Sequence, residues 1–217
     1  MTDDHRCRDQ AAWERIFAAI PADWYSAPPS DAMNQCRAYF AANSCQRLLD
    51  LGCGFGRWAQ YLTGHGTKEV VGIDYAEHGI RAAVAWARRE GFNGKFVVAS
   101  VAELPFHGQR FDGVLAAVLL DNLTRADCAR VVREVNAVAR RGARGFFVFN
   151  PRLTPAELAA ASDDNPTKDC THVVYEDEEL TGCLPGWTVT RVGPTAERFR
   201  VVEATYQPTS NLHGMPS

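Results

Sequence analysis

The sequence predicts a single α/β domain built on a largely parallel β-sheet. Short apolar runs of strand length alternate with segments in which apolar residues recur every three or four positions, as on one face of a helix. A glycine-rich turn joins the first of these runs to the helix that follows it. The length of 217 residues suits one domain with a sizeable core.

The predicted strands are short runs rich in valine, leucine, isoleucine and phenylalanine. Their length and their flanking turn residues favour buried strands over helices. Five such runs are followed by two closing strands, and together they cover residues 47–51, 70–74, 95–99, 111–117, 145–149, 187–192 and 197–206.

Helices are predicted where apolar residues recur at helical spacing. The first covers residues 10–20, the second starts at a cap formed by Ser30 or Asp31, and another passes through Trp58 and Leu62. Further helix boundaries are a stop at Gly91, a capped start at Thr124 with a stop at Gly142, and a start at Thr154. Residues 162–170 are expected to be a loop, and the chain from Pro208 a frayed tail.

Composition and charge exclude several classes of function. The net charge of −3 offers no basic surplus for a phosphate backbone, which disfavours nucleic acid as a partner. The acidic start predicts neither a signal peptide nor an anchor, and no apolar stretch approaches the roughly 20 residues of a membrane span. Seven scattered cysteines without a C-x-x-C pair predict reduced thiols, a cytoplasmic location and no zinc site.

The glycine-rich turn Asp50-Leu51-Gly52-Cys53-Gly54-Phe55-Gly56 predicts a ligand site. Glycines allow positive φ and close approach of a ligand, and the following helix N-terminus offers free N–H groups. Dinucleotides and S-adenosylmethionine both fit such a turn. The dinucleotide fingerprint needs Gly or Ala where Arg57 stands. Asp50 would also repel a pyrophosphate but attract an ammonium or a sulfonium, which favours S-adenosylmethionine.

An acid ends the second predicted strand, 18 residues beyond Gly56. Asp74 can accept hydrogen bonds from both hydroxyls of a ribose. On its own, Asp74 would more often be a turn former or a helix cap, and its pairing with the glycine turn favours the ribose role. Tyr75 could stack on an adenine face, or it could be a core aromatic at the strand end.

These residues resemble the class I S-adenosylmethionine-dependent methyltransferases, in particular the branch that acts on small molecules. The resemblance covers residues 47 to about 150, from the run Leu48–Arg57 through Val71-Gly72-Ile73-Asp74 to Phe111-Asp112. It implies a Rossmann-like sheet of seven strands in the order 3-2-1-4-5-7-6, with the last strand antiparallel and helices on both faces. It also implies a helical N-terminal cap over residues 1–44, a cofactor-binding core over 45–150, and an acceptor-side loop with closing strands over 151–207.

The resemblance assigns cofactor contacts residue by residue. The methionine part is expected at Asp50, Gly52, Cys53 and Gly54, with Ala117 nearby at the end of the fourth strand, and the ribose at Asp74 beside Tyr75. Ser100 and Val101 are expected at the adenine. The family usually has Asp where Ser100 stands, so Ser100 would replace a charged acceptor with an uncharged one.

Acceptor-side residues are expected after the fourth strand and in residues 169–175, here called the return loop because this stretch is expected to return over the active site. Asp121 could be a general base, with Asn122 beside it at the acceptor, or the pair could be a solvated helix start. His172 could be a second base or a substrate contact, with Tyr175 beside it, or a packing residue. Trp24 and Tyr25 could wall an apolar or aromatic acceptor pocket, or they could pack the cap onto the sheet.

The expected function is methyl transfer from S-adenosylmethionine to an oxygen, or a nitrogen, of a small metabolite, with natural-product biosynthesis as one setting. The alternatives are a non-catalytic cofactor-binding or regulatory module and a nicotinamide oxidoreductase. Asn150-Pro151 stands where a metal-dependent site would need carboxylates, so no metal is expected. The protein is expected to be a monomer or a homodimer.

Overall fold

The computed structural model describes residues 3–21, 23–152, 157 and 170–208. Seven strands form one sheet in the order β3-β2-β1-β4-β5-β7-β6. Strand β7 runs antiparallel to both of its neighbours, and the other pairs are parallel. The strands are β1 Arg47–Leu51, β2 Glu69–Asp74, β3 Gly94–Val98, β4 Phe111–Ala117, β5 Ala139–Phe149, β6 Trp187–Pro194 and β7 Arg200–Tyr206.

Seven helices and one 3₁₀ turn at Leu120–Asn122 surround the sheet in the described stretches 3–21, 23–152 and 170–208. They are α1 Asp3–Ala18, α2 Asp23–Ser26, α3 Asp31–Ala42, α4 Arg57–Leu62, α5 Glu77–Glu90, α6 Arg125–Val138 and α7 Asp177–Gly182. None of the helices in these stretches is long and apolar enough to cross a bilayer.

The helix caps follow the local sequence. The Ser30 side chain accepts the N–H of Met33 at the start of α3, and the Thr124 side chain accepts the N–H of Asp127 at the start of α6. Gly91 ends α5 with φ of +70°. These three boundaries confirm the predictions made from the sequence.

The end of α6 and the start of β5 differ from the prediction. The helix ends at Val138, and the strand begins at Ala139 rather than at residue 145. The pairing of β4 with β5 shifts register between Phe111 and Gly113, which leaves extra residues on β5 as a bulge. Gly142 lies in this bulge with φ of +81° and does not stop the helix. A glycine at positive φ can either end a helix or lie in a bulge, and only the pairing with β4 shows which of the two it does.

Other boundaries move for local reasons. Helix α1 begins at Asp3 and ends at Ala18, earlier than the predicted 10–20, and β3 begins one residue earlier than predicted. Strand β7 begins at Arg200 rather than at 197, because a turn closed by a bond from the Thr195 N–H to the Phe199 carbonyl occupies those residues. The predicted helix start at Thr154, the polar loop over 162–169 and the tail after 208 lie outside the described residues.

Apolar side chains alternate between the two faces of the sheet, as its pleat requires. Leu48, Val70 and Phe146 pack on one face with α3 and α4, through residues such as Phe40 and Leu62. The other face packs against α6 and α7 through Leu49, Val71, Val114, Phe147, Val131, Val135 and Leu180. With helices on both faces and the predicted strand order, the fold expected from the sequence is confirmed. The carboxyl ends of β1, β2 and β4 meet at one edge, where open α/β sheets bind ligands.

Candidate cofactor and active site

The glycine turn leaves the carboxyl end of β1 and enters α4. Gly52, Gly54 and Gly56 have φ of +65°, +52° and +82°, a region that favours glycine. The N–H of Cys53 donates to the carbonyl of Ile73 at 3.0 Å, which ties the turn to β2. A side chain at Gly54 would also clash, since its Cβ would lie 2.8 Å from the Phe17 ring.

Asp74 holds this turn from the end of β2. Its two carboxylate oxygens accept the N–H groups of Gly54 and Ala76, each at 2.9 Å. The residue is 5% exposed, and burial raises its pKa to about 6 while the two N–H bonds oppose that rise. A carboxylate has about four acceptor positions, so capacity remains for the hydroxyls of a ribose.

Asp50 lies one strand over and carries an unsatisfied oxygen. The residue is 1% exposed, and its Oδ2 has no hydrogen-bond partner in the part of the chain that the structure describes. Burial, and then the charge of Asp74, raises the pKa of Asp50 to about 8. A buried carboxyl oxygen without a partner suits a cationic group such as an ammonium or a sulfonium. Asp50, Asp74 and the glycine turn with its positive φ values together fit S-adenosylmethionine.

Ser100 and Val101 follow β3 directly beside Asp74. The N–H of Ala99 donates to the carbonyl of Asp74 at 3.0 Å, which brings the two strand ends together. The Ser100 hydroxyl oxygen accepts the N–H of Ala102 at 3.2 Å, and Val101 is buried. Ser100 and Val101 therefore lie next to the end of β2 that carries Asp74.

Helix α1 lies across the glycine turn and the start of α5. The carboxylate of Glu14 accepts the N–H groups of Glu77 and His78 at 2.7 and 3.0 Å, and Gln10 donates to the Tyr75 carbonyl. Phe17 packs over Gly54. This is the cap over the turn that the resemblance implied. No sequence pattern pointed to Glu14, while Phe17 was recognisable only as part of an apolar helix stripe.

Asp121 occupies the 3₁₀ turn after β4 and is 3% exposed. Its Oδ2 accepts the N–H of Asn150 at 2.6 Å, and its backbone carbonyl accepts the N–H of Val173 at 2.7 Å. Its Oδ1 is buried and has no partner among the described residues. Burial raises the pKa of Asp121, and the Asn150 N–H and the nearby His172 oppose the rise. The two predicted catalytic residues therefore lie close together.

The backbone between β4 and this turn is strained. Val118 has φ of +53°, which a β-branched residue rarely adopts. Its N–H donates to the Val148 carbonyl, and its own carbonyl accepts the Asn122 side chain at 2.6 Å. Ala117 ends β4 just before it. The side-chain amide of Asn122 therefore donates to the main chain, and its Oδ1 is buried without a partner among the described residues.

The aromatic residues predicted at the acceptor are engaged in packing. Tyr175 is buried, with its ring centroid 5.6 Å from that of Phe149. Trp24 and Tyr25 lie in the helical turn α2, and both rings pack on Phe55. Tyr25 also contacts Trp86 of α5 with centroids 4.8 Å apart. Trp24 and Tyr25 therefore pack against the glycine turn, and Tyr25 also packs against α5, while their contact with an acceptor stays a prediction.

Tyr75 lies where α1 approaches the return loop at residues 170–175. Burial raises its pKa, and the charges of Asp74 and Asp9 add to the rise. Asp9 in turn accepts the Thr171 hydroxyl at 2.8 Å.

Among the residues described, no group of three or more His, Cys, Asp or Glu side chains is arranged to hold a metal ion.

Comparison with known proteins places this site in a family. Residues 48–142 match the methyltransferase domain family. The chain is 33% identical over 173 residues to a ubiquinone biosynthesis O-methyltransferase from Methylobacterium sp. (strain 4-46), covering 71% of this chain and 67% of that protein. The protein of the same name from Coxiella burnetii is 26% identical over 139 residues, and the match spans 58% of its length.

Solved structures share the fold. The Burkholderia thailandensis 1,6-didemethyltoxoflavin-N1-methyltransferase, crystallised with 1,6-didemethyltoxoflavin and S-adenosylhomocysteine, aligns with a TM-score of 0.74. The alignment covers 95% of this chain and 91% of that one at 18% identity. The relationship to the Methylobacterium protein, which covers 67% of its length at 33% identity, shows that the chain belongs to the class I S-adenosylmethionine-dependent methyltransferases.

Proposed function

We propose that the protein transfers a methyl group from S-adenosylmethionine to an oxygen of a small molecule, with nitrogen as the alternative atom. The observation that carries the proposal is the grouping, at one edge of the sheet, of the glycine turn with Asp74 and of the buried acid Asp121. One end of this edge suits the cofactor, and the other presents a carboxyl oxygen without a partner among the described residues.

The cofactor side is proposed to use the residues expected from the sequence. Asp50 and the turn residues Gly52, Cys53 and Gly54 would hold the methionine part, and Asp74 the ribose. The Ser100–Val101 loop would meet the adenine, while Ala117 and Tyr75 would border the same site. The bound cofactor supplies an electrophilic methyl on a sulfonium, so the main task of the protein is to align the acceptor, which contributes several kcal/mol.

Asp121 is proposed as the general base. Its Oδ1, which has no partner among the described residues, would take the proton of an acceptor hydroxyl while the methyl is transferred, and general-base catalysis of this kind contributes about 10²–10⁴-fold. A raised pKa makes its carboxylate a stronger base. His172, the residue before Val173, would orient or relay that proton. A base is needed for a hydroxyl and less so for a neutral amine, which is why oxygen is favoured.

The relatives support a small-molecule acceptor. The relatives from Methylobacterium and Coxiella burnetii are named for O-methylation in ubiquinone biosynthesis, and the toxoflavin enzyme with the same fold is named for N-methylation. These names differ in the acceptor atom, so nitrogen stays the alternative. Because the chain spans 58% of the length of the Coxiella burnetii relative, the acceptor itself is a proposal of chemical class only.

The experiment is a screen for S-adenosylhomocysteine formation from S-adenosylmethionine with phenols, catechols and nitrogen heterocycles. The Asp121→Asn variant should lose about 10²–10⁴-fold in kcat on a phenolic acceptor while it retains cofactor affinity. Asp127→Asn, which alters a half-buried acid in the first turn of α6, is the matched control and should retain activity. Cofactor binding without turnover on any acceptor would instead support the non-catalytic module.

A further inference from the structure

Arg200 connects two segments that meet at the candidate base. It is the first residue of β7 and pairs opposite Phe149, the last residue of β5. Its side chain is 11% exposed. The guanidinium donates through Nε to the Asn150 carbonyl at 3.2 Å and through Nη1 to the Tyr175 carbonyl at 2.5 Å. Nη1 also lies 3.3 Å from a carboxylate oxygen of Asp177.

Both segments that Arg200 holds also donate to Asp121. The N–H of Asn150 donates to the Asp121 carboxylate, and the N–H of Val173, two residues before Tyr175, donates to the Asp121 carbonyl. The backbone groups that fix Asp121 therefore lie on two stretches of chain far apart in sequence. The guanidinium of Arg200 joins these two stretches.

The chemistry of arginine suits this task. A guanidinium carries five donors in a rigid planar fork, so it can satisfy two carbonyls and a carboxylate at once. A lysine ammonium at the same place has a single nitrogen on a flexible stem and would satisfy fewer of them. Without either cation, two partly buried carbonyls would lose their partners, and the segments that carry them would relax.

We propose that Arg200 is a positioning residue for Asp121, acting through Asn150 and the return loop and not through the substrate. This proposal rests on the proposed function, in which Asp121 takes the proton of the acceptor. It predicts that changes at Arg200 alter the environment of the Asp121 carboxylate even when neither cofactor nor acceptor is present.

The test is an NMR titration of the ¹³C-labelled carboxyl carbons in the full chain, with the Asp121 signal assigned by its loss in Asp121→Asn. Because the Asn150 N–H stabilises the ionised carboxylate, Arg200→Met should weaken the acidity of Asp121 about tenfold and so raise its pKa. Arg200→Lys should raise it by less. The matched control is Arg191→Met, which removes an arginine ion-paired with Glu203 on the neighbouring strand and should leave Asp121 unchanged.

His172 also acts on Asp121, so the comparison is repeated in the His172→Gln background, where the change should persist. An unchanged Asp121 titration in Arg200→Met, with the fold retained, would show that Arg200 serves stability alone and would overturn the proposal. If Arg200→Met does not fold, an Arg200→Lys protein that titrates like the wild type overturns it. Failure of methyl transfer in the wild type would reject the proposed function and leave this titration readable.

Discussion

The carboxylate of Asp74 accepts the N–H of Gly54 across 2.9 Å, which ties the end of β2 to the middle of the glycine turn after β1. The acid proposed to bind the ribose therefore also shapes the turn proposed to hold the methionine part. Substitutions at Asp74 act on both, and any test of its role needs a control that separates lost affinity from lost structure.

Binding of S-adenosylhomocysteine should release a proton from Asp50. Its pKa of about 8 leaves it mostly protonated at pH 7, and an ammonium placed against its free Oδ2 would favour the ionised form. A pKa of about 8 sets an upper limit of about 0.9 proton released per ligand at pH 7, and the release should vanish near pH 9. Calorimetry in two buffers of different ionisation enthalpy measures this number.

The control for proton release is Asp50→Asn, which should bind more weakly and without any dependence on the buffer. Its apo form should also lose less stability as pH rises. The sign follows from the raised pKa, because the folded state holds a proton on Asp50 that the unfolded state gives up above about pH 4. The contribution of Asp50 to stability therefore falls from there to about pH 8, by at most about 1.4 kcal/mol for each pH unit in that range. Buffer-independent binding by the wild type would contradict a role for Asp50 at the ligand.

Gly54→Ala should destabilise the protein more than a matched substitution at another glycine with positive φ. At Gly54 the new Cβ adds a clash with the Phe17 ring to the backbone strain, for a total of about 2–4 kcal/mol. Gly64→Ala has similar strain, at φ of +88°, in open space and should cost about 1 kcal/mol. Urea denaturation measures both values.

The excess cost at Gly54 should largely disappear in a Phe17→Ala background, because the clash is removed. Equal costs for Gly54→Ala in the two backgrounds would mean that α1 does not lie over the turn. The double-mutant cycle thus tests the position of the cap without any ligand.

Glu14→Gln should weaken the attachment of α1 to α5. The Glu14 carboxylate caps two N–H groups at the start of α5, and loss of such a cap typically costs about 1 kcal/mol. Burial raises the pKa of Glu14, but its bonds to His78 and Glu77 outweigh this and leave the pKa below the usual value.

The sign for Glu14 is opposite to that for Asp50. Because the pKa of Glu14 is lowered in the folded state, ionised Glu14 stabilises the protein above its unfolded-state pKa of about 4.5. This stabilisation is lost as the pH falls through the folded-state pKa. The difference between wild type and Glu14→Gln should therefore shrink in acid. Glu77→Gln, which affects an exposed pair with Arg81, is the control and should change stability little. A Glu14 effect that is constant with pH would argue against the cap.

The arrangement of the glycine turn and Asp74 was predictable because its signals are local. The strand, the glycine turn and Asp74 lie within one strand–helix–strand unit, so their chemistry and spacing could be recognised along the chain. The same holds for the caps at Ser30 and Thr124, where a side chain bonds three residues ahead.

The acceptor side depends on contacts between distant segments, which spacing alone does not reveal. Asp121 is fixed by Asn150, 29 positions away, and by Val173 in the return loop. Tyr25 packs on Trp86 of another helix as well as on Phe55, and Gly142 belongs to a bulge that only the pairing with β4 defines. Sequence patterns identified these residues but not their neighbours.

The most direct test of the central claim is calorimetric titration with S-adenosylmethionine and S-adenosylhomocysteine, with Asp74→Asn and Asp112→Asn alongside. Asp112 also accepts two backbone N–H groups, from Gln46 and Arg47 where β1 begins, and so controls for lost structure. We expect micromolar binding that falls about 10–100-fold in Asp74→Asn and is retained in Asp112→Asn. A folded wild type that binds neither compound, or equal losses in the two variants, would contradict the central claim.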